Sequence, residues 1–531
     1  MSDTEARREE ERLGSVDLFG CLGSFTLLLL AVYAPALSGP FVSDDFAYFV
    51  AHPYTGALRV EHWLAIFDPT GPAKFFTGNY APLHLGFVAL ERAFFGDAVV
   101  PLHVANVVLH AANATAVAAI LNRSGVTRSV SLAAALLFAL HPANVEAVAW
   151  ISQSKTLLAF GLAAGAGCLF ACRPGWATVL YVAALAAKAQ ALFLLPTIAA
   201  WLACRRADGN GWRWWALWCG LSLAYAVPAW QAHQALGAVE VADSLGERLG
   251  GVLEATGRTA WIGASSLGVA AFQEPRPSVA WRLVGAIIAL GVTWRCVVTL
   301  RAKRLEGVAW LAAIAAFAPV SQWFPFLHPV ADRYLYFIVP SVVGALCLAC
   351  RDAVLPSAAR SVAWILVAGL ALGFAARSYE RAALWTNETR LLVDAARAFP
   401  DGSSAHWLAA RAAAQRGEPQ DALDALEAAT RGEHFAFHTV AEDLGLAPLR
   451  GMPAFEAHVD ALAGRAVARA RTRPPRSQPA WWLVARAHAE RGEREGERAA
   501  LEQALALGGP WTRRVRRALE EAQRPDTGEA P

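Results

Sequence analysis

The sequence predicts an all-α protein: a polytopic transmembrane bundle of about eleven helices, followed by a C-terminal domain of α-helical hairpins. Three observations carry that expectation. Hydrophobic residues make up 56% of the chain, too many for a string of soluble domains. They are gathered into runs of the length needed to cross a bilayer core, about 20 residues. The runs stop near Arg377, and an Ala-rich stretch with helical periodicity follows.

Residues 1–16 mix Arg7, Arg8 and Arg12 with Glu5 and Glu9 to Glu11, and form a cytoplasmic N-terminus. The first run, Leu18 to Leu37, is too long for a signal-peptide core and lacks a small-residue cleavage site, so it is a retained anchor. Pro35, Gly39 and Pro40 end it. A first outer loop over 39–100 carries Trp63, Phe67, Phe75, Phe76, Tyr80 and Phe95, aromatics suited to the membrane interface. Within it, Pro82 to Phe95 is short and interrupted by Glu91 and Arg92, which predicts a helix along the surface.

Further runs lie at Pro101 to Leu121, Val130 to Leu140, Leu157 to Cys172, Trp214 to Trp230, Val279 to Leu300, Val308 to Phe326, Tyr334 to Cys350 and Ser361 to Ala376. Trp176 to Cys204 is too long for one crossing, and Lys188 and Gln190 interrupt its middle, so it is read as two short helices meeting at Lys188. That choice places Arg123, Arg128, Arg173, Arg205, Arg206, Arg213, Arg301, Lys303, Arg304, Arg351 and Arg360 on the inner side, as the positive-inside rule asks. Val252 to Phe272, with Glu254 and Arg258, is kept on the outer surface. An odd number of crossings then puts the tail outside, on the face of the first loop. The expected setting is a bacterial inner membrane with a periplasmic tail.

In the tail, residues 378–523, Trp407-Leu408 with Gly417 and Ala422 recurs as Trp482-Leu483 with Gly492 and Ala499 or Ala500. An Arg-Gly pair marks the helix turn in each copy, Arg416-Gly417 and Arg491-Gly492. The spacing resembles tetratricopeptide repeats, the alternative being a generic helical bundle. The middle, His434 to Arg471, is expected to be irregular or a degenerate repeat, and residues 524–531 disordered. A net charge of +3 offers no basic field for nucleic acid. The eight cysteines fall in or beside the apolar runs, with no zinc-like Cys/His spacing.

The candidate site begins at Asp44-Asp45, two carboxylates where the first helix ends. Carboxylates near hydrocarbon are costly, so the pair points to function; the alternative is that both cap the next helix. Four further clusters share their side of the membrane: Asn79-Tyr80-Ala81-Pro82-Leu83, His141-Pro142 through Glu146 to Trp150 and on to Lys155, Lys188, and His328 through Asp332-Arg333 to Tyr336. Lys155, Lys188 and Arg333 are cations suited to a phosphate at the interface. Lys155 and Arg333 have an equally good structural reading, as partners of Glu146 or Asp332. Lys188 has no adjoining acid and interrupts an apolar run. For His141 and His328 the stronger reading is helix-end capping.

With these residues assembled, the chain resembles the C-superfamily glycosyltransferases, and more closely the transmembrane and tetratricopeptide-repeat O-mannosyltransferases. Asp44-Asp45, Asn79 to Leu83, His103 to His110 with Asn106, His141-Pro142 through Trp150, Lys155, Ala331-Asp332-Arg333-Tyr334-Leu335-Tyr336 and the tail carry the likeness, which covers almost the whole chain. The chain departs from the family pattern at Ala81, where an Arg is usual, and at Ala189, where an acid usually follows the lysine.

The resemblance implies inverting transfer of mannose or another hexose from a polyprenyl-phosphate donor to a hydroxyl, a Ser or Thr of an exported protein or a glycan. Asp44 would be the general base and Asp45 its orienter or a divalent-metal ligand; no other cofactor is implied. Lys155, Lys188, Arg333, His141 and Tyr336 would hold the donor phosphate, and Asn79, Tyr80, Glu146, His328 and Asp332 the sugar or acceptor. Competing readings are a lipid-linked glycan ligase or polymerase, and a non-catalytic membrane scaffold whose repeats recruit partners.

Overall fold

The computed structural model describes residues 13–206, 209–235, 244–323, 328–353, 356–431 and 435–524. The extreme N-terminus and residues 525–531, expected to be cytoplasmic and disordered respectively, lie outside them. Among the described residues the protein is all-helical, with no strand. Among the described residues, five helices are long and apolar enough to cross a membrane: Ser15–Val32, Val99–Arg123, Val279–Arg301, Asp332–Ala349 and Ser357–Thr386. A sixth is formed if Arg128–Leu140 and Pro142–Ala149, bent by 52°, count as one broken span. The protein is therefore a membrane protein by its helices.

The chain divides into two compact units. The first comprises Met1–Val50, Ala81–Val227 and Val239–Asp394; the second comprises Ala51–Tyr80, Pro228–Ala238 and Ala395–Pro531. The boundary expected near Arg377 is moved by local chemistry. Helix Ser357–Ala382 continues past the apolar run, and its Arg381 pairs with Asp394 at 3.2 Å, keeping the following residues in the first unit. The stretch read as one outer loop is likewise split, since 51–80 belongs to the second unit.

In the first unit, Val99–Arg123 packs against Ser15–Val32, Arg128–Leu140 and Ser154–Leu169, and small residues such as Ala111, Ala114 and Ala118 are fully buried in it. Small side chains let helices approach closely where lipid supplies no hydrophobic drive between them. Leu245–Ser265 and Val279–Arg301 approach closely, and a Cβ on Gly285 would fall 1.8 Å from the Leu253 carbonyl oxygen. Gly285 is thus required by contact.

Two interruptions expected from the sequence are present. Arg128–Leu140 stops one residue before His141, whose extended backbone lets Pro142 begin a new turn. Pro174–Ala187 ends at Lys188, which is itself extended (φ −160°, ψ 131°), and the chain resumes through a short 3-10 turn into Leu194–Arg205. Helix Pro82–Phe95 buries Leu85, Val88, Ala89 and Glu91 against its neighbours.

The second unit contains the expected hairpins. Ser403–Arg416 with Pro419–Ala429, and Gln478–Glu490 with Arg494–Ala506, turn at Gly417 (φ +76°) and Gly492 (φ +69°), left-handed positions where glycine carries no Cβ penalty. The two tryptophans are not equivalent. Trp407 is buried and stacks on Phe435 at 4.2 Å, whereas Trp482 is half-buried with the Arg514 guanidinium 4.7 Å from its ring. The stretch expected to be irregular contains a regular helix, Pro453–Thr472, started by Pro453 and buried through Phe455, Val459, Leu462 and Val467.

Candidate active site

The acidic pair does not lie in an extended segment. Ser43 takes a left-handed conformation (φ 50°) and the chain turns at once into a helical segment, Phe46–Val50. The two carboxylates nevertheless part company. Asp45 is fully buried, and its oxygens accept from the Val42 amide at 3.0 Å and the Ser152 amide at 2.8 Å. Asp44 keeps 52% of its side chain exposed and meets the Lys155 ammonium at 3.9 Å. The turn offers one acid to solvent and spends the other on tying residues 42–45 to the break at 150–154.

That break is pinned from three sides. Asn106 donates to the carbonyls of Val148, Trp150 and Ile151 at 3.2 Å each. The Trp150 indole donates to Val42 O at 3.2 Å, and the Trp150 ring stacks on Trp385. His84 meets the Ser154 hydroxyl at 3.1 Å. Lys155 leaves the first turn of Ser154–Leu169 with its ammonium 4.8 Å from the centre of the Tyr48 ring, a cation–π contact.

The other two cations converge on the same place. Lys188 donates to the Thr156 hydroxyl at 2.8 Å and lies within electrostatic reach of Lys155, Arg333 and Glu146. Arg333 forms an ion pair with Glu146, which also accepts from the Arg333 amide at 2.7 Å, and Asp44 lies in its electrostatic reach. The guanidinium sits 5.4 Å from the Trp150 ring and 5.2 Å from that of Tyr334. Asp44, Glu146, Lys155, Lys188 and Arg333 therefore form one constellation, in which Lys188 has a hydroxyl partner rather than a carboxylate. Comparison with protein-family models, with curated proteins and with solved structures gives no match.

Five expected site residues have other partners than those expected. Glu146, expected at the sugar, is committed to Arg333. Asp332 is buried, accepting from the Ala270 amide at 3.1 Å and the Gln273 side chain at 2.9 Å; it anchors the 268–273 segment rather than facing an acceptor. Tyr336, expected at the phosphate, is fully buried with its hydroxyl on His110 (2.7 Å) and Asn113 (2.9 Å). His141 follows the capping reading: its ring accepts from the Ala143 amide and meets Gly263 O at 3.1 Å. Asp45 has both oxygens taken by backbone amides, which leaves it a poor metal ligand. No group of three or more His, Cys, Asp or Glu able to hold a metal occurs among the described residues.

Asn79 and Tyr80 belong to the second unit, where Asn79 donates to Thr77 O at 2.9 Å and Tyr80 to Phe67 O at 3.2 Å. His328 is half-buried, and its carbonyl accepts from the Tyr334 hydroxyl at 3.1 Å. Tyr48 and Thr156, which hold the two lysines, were not singled out from the sequence. Their only signal was adjacency, Tyr48 four residues after Asp44 and Thr156 directly after Lys155.

Two predictions arise from this geometry. Breaking a buried ion pair by removing one partner costs about 3–5 kcal/mol, because the other charge is left uncompensated. Glu146→Gln is thus expected to lower the melting temperature by several degrees in detergent, and Glu146→Gln with Arg333→Met to recover part of the loss. Burial also raises the Asp45 carboxyl to about 7, from an ordinary value near 3.8. The folded protein then holds a proton between those values that the unfolded chain has released. Stability contributed by Asp45 is full below about 4 and declines as pH rises to about 7. Melting temperatures from pH 4 to 8 should show this decline in the wild type and not in Asp45→Asn.

Proposed function

We propose that this protein is a membrane glycosyltransferase that moves a sugar, mannose or another hexose, from a polyprenyl phosphate to a hydroxyl of an exported protein. A single observation carries the reading: an exposed carboxylate, Asp44, stands beside a group of cations, one of which has no carboxylate partner. The resemblance to the tetratricopeptide-repeat O-mannosyltransferases supplies the reaction class. About eleven crossings, an outward-facing site, a bacterial inner membrane and a repeat tail that docks acceptor polypeptide in a concave surface belong to the same proposal.

The chemistry follows from the charges. A sugar phosphodiester carries one negative charge, and Lys155, Lys188 and Arg333 set against Asp44 and Glu146 leave one positive charge over. The carrier phosphate fits that excess without a metal. The acceptor hydroxyl is a weak nucleophile at neutral pH, so Asp44 takes its proton as the new glycosidic bond forms at the sugar carbon. The bond from that carbon to the phosphate oxygen breaks, and the departing polyprenyl phosphate gains negative charge. Preorganised cations stabilise that charge most where it develops. Arg333, fixed by Glu146 and flanked by the Trp150 and Tyr334 rings, is the rigid member of the set; Lys188 is the one free to meet phosphate.

The test is purified protein in lipid nanodiscs, given a panel of polyprenyl-phosphate sugars and Ser/Thr peptides. Glycopeptide is expected from the wild type and not from Asp44→Asn. A scaffold whose repeats recruit partners would form no glycopeptide, and its partner recruitment would survive Asp44→Asn.

A further inference from the structure

We propose a second anion site in the first unit, at the opposite ends of the helices from Asp44, which holds the phosphate headgroup of an anionic phospholipid. A small cavity there is lined by Arg304, Leu305, Glu306, Leu348 and Arg351. The two arginines come from different connections, one immediately before helix Leu305–Phe317 and one just after helix Leu335–Ala349. They are brought together because these two helices pack side by side.

The carboxylate in the cavity wall does not cancel them. Both oxygens of Glu306 are taken by the Arg295 guanidinium, at 2.6 and 3.0 Å, and one also accepts from the Trp310 indole at 3.3 Å. Asp352 is the one other acid at hand among the described residues. It is largely exposed and meets Arg351 at 3.4 Å, a contact that solvent screens. Arg304 has no carboxylate within ion-pair distance among the described residues. The Arg351 guanidinium also lies against the Gly125 turn, 3.7 Å from where a Cβ would stand, so the connection after Val99–Arg123 closes that side. Lys303, beside Arg304, is held in a left-handed conformation (φ 55°) that turns the chain sharply between its two helices.

Depth selects a lipid over a soluble anion. Arg304 and Arg351 each adjoin the end of an apolar helix, the level at which headgroup phosphates lie. Basic pockets between helices on the cytoplasmic side bind anionic headgroups in this way. The site is independent of the proposed transferase activity.

The experiment measures the melting temperature of the full-length protein in neutral detergent after adding phosphatidylglycerol, cardiolipin, phosphatidylcholine or inorganic phosphate. Anionic lipid is expected to raise the wild-type melting temperature by a few degrees, phosphatidylcholine and inorganic phosphate much less. Arg304→Gln with Arg351→Gln should abolish the anionic-lipid shift. An undiminished shift in the double variant overturns the site. So does the absence of any shift, and an equal response to inorganic phosphate overturns the assignment to lipid. If the double variant does not fold, the single variants Arg304→Gln and Arg351→Gln decide: an undiminished shift in both rejects the proposal.

Discussion

Asp44→Asn is expected to lower sugar transfer by about 10²–10⁴-fold, the usual contribution of a positioned general base, while leaving the melting temperature within a degree or two of the wild type. The two halves of that expectation come from the same geometry. Asp44 is half-exposed, its nearest charged partner is 3.9 Å away, and it carries no hydrogen bond that shapes the loop. Asp45→Asn should behave in the opposite sense. Its oxygens hold the Val42 and Ser152 amides, so an amide in its place can accept only one of them and must direct N–H donors at the other. Loss of stability together with loss of transfer is expected there. Steady-state kinetics with thermal unfolding on both variants separates the roles. Should Asp44→Asn retain full transfer, Asp44 is not the base.

The sequence made the helical plan legible because the signals are steric and local. Pro142 cannot continue a helix, and a lysine at position 188 cannot be left in the middle of an apolar crossing, so both breaks could be placed to the residue. The parting of Asp44 from Asp45 has a tertiary cause: the left-handed Ser43 turn and the Ser152 amide, distant in sequence, divide them. The resemblance implies Tyr336, Asp332 and His141 at the site, but each is held by partners distant in sequence. Arg333 lies in a short turn and Tyr336 in the helix that follows, where Tyr336 meets His110 and Asn113 in the core. Where Arg333 finds its counter-ion was open between Glu146 and Asp332; pairing at a separation of 187 residues is a tertiary fact that no local pattern specifies.

Lys188 supplies the sharper test, because its replacement is expected to move stability and activity in opposite directions. In the protein without donor, its ammonium rests on the Thr156 hydroxyl and feels two like charges, Lys155 and Arg333, against one acid, Glu146. Lys188→Met removes that repulsion and the cost of desolvating the charge, so the variant should melt at or above the wild-type temperature. Like-charge crowding of this kind clusters at functional sites. With the donor bound, the same substitution removes a cation from a phosphate that gains charge as the sugar departs. The turnover number should therefore fall with the specificity constant, by about 10²–10³-fold, the cost of losing one charge-stabilising donor. Lys155→Met is a different loss, since the ammonium also holds the base, 3.9 Å away. A lysine kept for structure gives the reverse pattern: Lys188→Met would melt several degrees lower and transfer sugar at the wild-type rate per folded molecule.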